Sequence, residues 1–113
     1  RGRLCDRHSA TLARGVIMAT FISLVNFTDQ GIRAVKDSPD RFQAFKALAE
    51  TLGIEVKAVY WTVGSYDLVL IVEGDEEAAT SLLLKVGSLG NTRTQTLRGF
   101  SEQEMRKIIG KMP

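Results

Sequence analysis

Five consecutive apolar residues, Leu68-Val69-Leu70-Ile71-Val72, constrain this chain more than any other feature. A β-strand turns successive side chains to opposite faces, so an unbroken apolar run needs cover on both sides. A second apolar stretch, residues 54–63, precedes it across Gly64-Ser65, and the pair reads as a hairpin with strands at residues 54–63 and 66–73.

The rest of the chain supplies partners for that hairpin. Residues 20–27 read as a first strand, with Phe21, Val25 and Phe27 on one face and Ile22 and Leu24 on the other. Thr28 is placed to cap a helix that begins at Asp29, and Ser38-Pro39-Asp40 is a second helix start that predicts a break near Asp37. Phe42, Phe45, Leu48, Ala49 and Leu52 then recur at helical spacing up to Gly53. Beyond the hairpin, Asp75-Glu76-Glu77 opens another helix with Ala78, Ala79, Leu82, Leu83 and Val86 as its stripe. Residues 91–98 alternate Thr92, Thr94, Thr96 and Arg98 with Arg93, Gln95 and Leu97, a β-prone but polar pattern that belongs at a sheet edge. Ser101 and Glu104 fit a capping box, and the helix after them gathers Met105, Ile108, Ile109 and Met112 on one side.

The order β-α-β-β-α-β plus a terminal helix predicts an α+β, ferredoxin-like domain with the first and third strands in the middle of the sheet. Those are the two strands that read as apolar on both faces. With both helices on one side, the other side of the sheet exposes a large apolar patch. The expected solution is a homodimer closed sheet against sheet, a dimeric α+β barrel, with higher assembly as an extension.

Charge and composition narrow the chemistry. The first 17 residues hold four arginines against Asp6, which leaves 11 basic and 12 acidic residues from Met18 onward. The domain is therefore not basic, and direct nucleic-acid binding is not expected. Cys5 and His8, the only cysteine and histidine, also precede Met18. The body of the protein has no thiol or imidazole to offer, so neither a metal nor another cofactor is expected. Residues 1–17 read as an upstream extension or leader outside the fold, with a targeting segment as the alternative; residues 18–113 form the domain. No apolar run reaches the length of a membrane helix, and a cytoplasmic location is expected.

Several segments carry a resemblance. The opening Met18-Ala19-Thr20-Phe21-Ile22, Phe27-Thr28, Val59-Tyr60-Trp61 through Asp67, and Gly87-Ser88-Leu89-Gly90-Asn91 through Thr94 resemble the GYD-domain family of small bacterial proteins. The resemblance implies a dimeric α+β barrel but no assigned activity. Gly64, Tyr66, Asp67 and the threonine-rich fourth strand are more distantly similar to the effector-binding domain of Lrp/AsnC regulators. That likeness implies a dimer that binds amino acids or similar small molecules between subunits.

Gly64, Tyr66 and Asp67 have two readings. As a structural motif, Gly64 permits the turn and Asp67 accepts hydrogen bonds from backbone amides. As a site, Trp61, Tyr66 and Asp67 line a ligand pocket, and Arg93, with Arg98, holds a carboxylate. No spacing of carboxylates argues for acid/base catalysis, and no catalytic residue is assigned. The expected function is a small-molecule-binding or regulatory module. A cofactor-free oxygenase or isomerase and a structural or protein-interaction subunit are the alternatives.

Overall fold

The computed structural model describes residues 18–113, so the expectation for residues 1–17 lies outside the described residues. Its strands are β1 (Ala19–Phe27), β2 (Glu55–Trp61), β3 (Leu68–Gly74) and β4 (Thr92–Gly99). They form one sheet in the order β2-β3-β1-β4 with every neighbour antiparallel. This is the ferredoxin-like order, with the two strands that are apolar on both faces in the centre.

The helices are α1 (Asp29–Arg33), α2 (Ser38–Thr51), α3 (Glu76–Ser88) and α4 (Glu102–Gly110), with a 3-10 turn (Val35–Asp37) between α1 and α2. Thr28 caps α1 by accepting from the Gly31 amide at 3.1 Å. Asp75 caps α3 through the Ala78 amide at 3.1 Å, and Ser101 with Glu104 forms the expected capping box of α4.

Two local expectations are corrected. Ser38 does not cap α2; it is the first helical residue, because the 3-10 turn runs straight into the helix and the Val35 carbonyl already receives the Ser38 amide. The Ser38 hydroxyl is thereby free for another partner. The hairpin strands are also shorter than expected, ending at Trp61 and resuming at Leu68. The Thr62 hydroxyl donates to the Tyr66 carbonyl at 2.6 Å and the Thr62 amide to the Asp67 carbonyl at 2.9 Å. These bonds close a wider loop, with Gly64 at φ 142° and Val63 fully in solvent.

Register decides which side chains face the helices. Phe21, Ser23 and Val25 of β1 alternate into the core with Leu68, Leu70 and Val72 of β3. Ala49 of α2, Ala79 and Leu82 of α3, Ala19 and Ile54 complete that core. Ser23 shares a 2.9 Å hydrogen bond with Thr96 beneath the helices, which satisfies a polar pair in a buried layer. The other face carries Ile22 and Leu24, opposite Ile71 and Val69 on one side and Leu97 and Gln95 on the other.

Candidate functional site

On the helix side of the sheet, α2 and α3 diverge and leave a cleft of about 220 Å³. Phe42, Phe45 and Leu48 form one wall, Leu83 and Val86 the other, and Val25 and Leu70 lie in the floor. β4 lines it with Thr92 and Thr94, which are shorter than the leucines and phenylalanines around them. Short side chains over one strand leave the space between the helices unfilled.

Three of the polar residues around the cleft are engaged. The Ser38 hydroxyl accepts from the Trp61 indole N–H at 3.1 Å. Asn91 Oδ1 accepts from Gln30 Nε2 at 2.9 Å. Arg41 donates to the carbonyls of Ala34, at 2.8 Å, and Gly31, at 3.4 Å, at the end of α1. Thr92 Oγ1 is buried and has no hydrogen-bond partner among the described residues.

The residues expected from sequence to bind a ligand are divided between the two faces. Trp61 is on the helix side, edge-on to the Phe42 ring at 6.0 Å between centroids, so it touches two cleft-lining residues without lining the cleft. Tyr66 reaches across the open side, its hydroxyl 2.9 Å from Gln95 Oε1. Arg93 shares that side, opposite Asn26, and has no hydrogen bond or ion pair among the described residues. Asp67 is engaged with the backbone, its carboxylate accepting from the Phe27 amide at 2.9 Å. Arg98 lies over the rings of Phe100 and Phe21, 4.4 and 5.8 Å from their centroids.

Sequence reasoning read Phe42, Phe45, Leu48, Leu83 and Val86 as core, since a cleft wall and a packed stripe share one periodicity. The available signal was the threonine alternation in β4, which sets short polar side chains under helices. Among the described residues, no group of three or more His, Cys, Asp or Glu could hold a metal ion. No helix among them is long and apolar enough to cross a membrane.

Comparison with known proteins places these features in a family context. The GYD domain profile matches residues 21–109. A protein of Thermus thermophilus, named glutamine synthetase and cystathionine beta-lyase binding protein, is 34% identical over 85 residues. The match covers 74% of this chain and 90% of that protein. Among solved structures, the crystal structure of a glutamate-to-alanine mutant is similar with a TM-score of 0.48 and 22% identity. That match covers 80% of this chain and 55% of the other, so this chain spans about half of that neighbour's length.

Proposed function

This chain belongs to the GYD-domain family, and on that premise we propose that it is a regulatory binding protein that works as a homodimer and docks on metabolic enzymes. The observation that carries the reading is the open side of the sheet. Ile22 and Leu24 of β1, Val69 and Ile71 of β3 and Leu97 of β4 are neighbours there, on three adjacent strands. The long helices α2 and α3 lie on the opposite side, where they line the cleft with Val25 and Leu70.

A surface of this kind suits an isologous contact, in which each copy covers the same patch of the other. Sheet-to-sheet pairing buries the five side chains and leaves the helical side outward for a second protein. The name of the Thermus relative supports enzymes as that second protein, glutamine synthetase and cystathionine β-lyase being the first to test.

Sedimentation equilibrium and biolayer interferometry test the two parts separately. A dimer at micromolar concentration, converted to monomer by Ile71→Lys, is expected. The dimer should bind at least one of the two enzymes from the same organism. A wild-type monomer would overturn the sheet-to-sheet contact, and a dimer that binds neither enzyme would overturn the enzyme-docking reading.

A further inference from the structure

We infer that the two copies of the homodimer meet in one register, in which Arg93 of each pairs with Glu73 of the partner subunit about a two-fold axis that crosses β1 between Ile22 and Leu24. This rests on the homodimer reading and goes beyond it, because it names the groups that fix how the two sheets face each other.

The open side of the sheet is apolar in the middle and charged at two opposite corners. Arg93 stands on β4 opposite Asn26, near the end of β1, and Glu73 stands on β3 opposite Thr20, near its start. Arg93 is exposed and Glu73 partly so, and neither has a hydrogen bond or ion pair among the described residues. Glu55 of β2 lies directly across the strand pair from Glu73, and Lys57 is 3.5 Å from the Glu55 carboxylate. Like charges opposite each other in a sheet are destabilising, so this corner favours a cation brought from outside the chain. The other polar groups nearby do not supply one. Asn26 and Thr20 are neutral, and the Tyr66 hydroxyl is 2.9 Å from Gln95 Oε1.

The two charges cannot meet within one chain. Thr20 and Asn26 are six residues apart on β1, about 20 Å at the rise of a strand. β3 and β4 flank β1, two strand spacings or about 10 Å apart. Arg93 and Glu73 are therefore about 22 Å apart on the same face. A half-turn that lays each over the other's counterpart must pass midway between them. That midpoint falls on β1 at Ser23, whose side chain turns to the helices, so Ile22 and Leu24 flank it on the open side. Val69 and Ile71 lie to one side of it and Leu97 to the other. The rotation that joins both charge pairs thus also lays the centre of one apolar patch on the centre of the other. Charge and hydropathy select the same axis.

Sedimentation equilibrium of the full chain at low ionic strength tests the register. Arg93→Glu and Glu73→Arg, each alone, turn both pairs into like-charge contacts and should each weaken self-association about 100-fold. An equimolar mixture of the two variants should recover dimers, because only the mixed dimer has opposite charges at both contacts. The chain carrying both substitutions should recover them as well, and both recoveries should shrink as salt rises. An effect within one chain cannot produce the rescue in the mixture. With a wild-type dimer that Ile71→Lys dissociates, two results would overturn the register and leave the homodimer reading standing. One is single variants that associate like wild type; the other is a mixture of variants, folded by circular dichroism, that stays monomeric. A wild-type monomer would instead overturn the homodimer reading, and the register with it.

Discussion

The Asp67 carboxylate accepts the backbone amide of Phe27 at 2.9 Å, tying the start of β3 to the end of β1. The Asp67 amide donates to the Val25 carbonyl at 2.8 Å, and its carbonyl accepts from the Thr62 amide at 2.9 Å. One residue therefore fixes the edge of two neighbouring strands and closes the β2–β3 loop. A hydrogen bond to a charged acceptor is worth more than a neutral one. Asp67→Ala should lower stability to urea by about 2 kcal/mol and Asp67→Asn by about half that. An Asp67→Ala protein as stable as wild type would show that the carboxylate does not hold the strands.

Gly31 is constrained by contact rather than by dihedral angle. A Cβ built there would lie 2.0 Å from the Asn91 carbonyl oxygen and 2.9 Å from its carbon. That carbonyl cannot retreat freely, because it accepts from the Thr28 amide at 3.1 Å while the Thr28 hydroxyl holds the Gly90 carbonyl at 2.6 Å. Gly31→Ala should cost about 3 kcal/mol, at the upper end for overpacking, despite alanine's better helix propensity. Chemical denaturation of the two proteins decides it, since helix propensity alone predicts a gain.

Thr92→Val tests the buried hydroxyl. The two side chains have the same shape, so the change removes an unpaired polar atom without opening a cavity. The protein should gain about 1 kcal/mol, the desolvation cost that the hydroxyl carries unpaired. A fall in melting temperature would mean that the oxygen has a partner.

Elements whose signals are local were legible in the sequence. The apolar run 68–72 located a central strand, and Thr28, Asp75 and Ser101 marked helix starts through hydrogen bonds within three residues. Ser38 misled because its hydroxyl bonds to Trp61, 23 residues away, and no local pattern encodes that choice. The same limit applies to the site. Tyr66 and Asp67 reach Gln95 and Phe27 across the sheet, while Trp61 turns to the helices. The helical stripes showed which residues face inward, but the cleft between α2 and α3 depends on side chains from five elements at once.

The C-terminal helix makes the sharpest contrast between local design and tertiary support. Its capping box and the Glu102–Arg106 ion pair at 2.7 Å stabilise it from within. Yet Ile108, Ile109 and Met112 are 40%, 55% and 68% exposed, and of residues 102–110 only Glu104 is partly buried. A nine-residue helix is marginal in water without a surface to cover. Ending the chain after Phe100 should therefore change the stability of the monomeric Ile71→Lys background by less than about 1 kcal/mol. In the wild-type background the same truncation should weaken self-association, measured by sedimentation, because it removes the apolar stripe that a partner copy would cover. A loss of several kcal/mol in the monomer would show instead that the helix covers its own sheet.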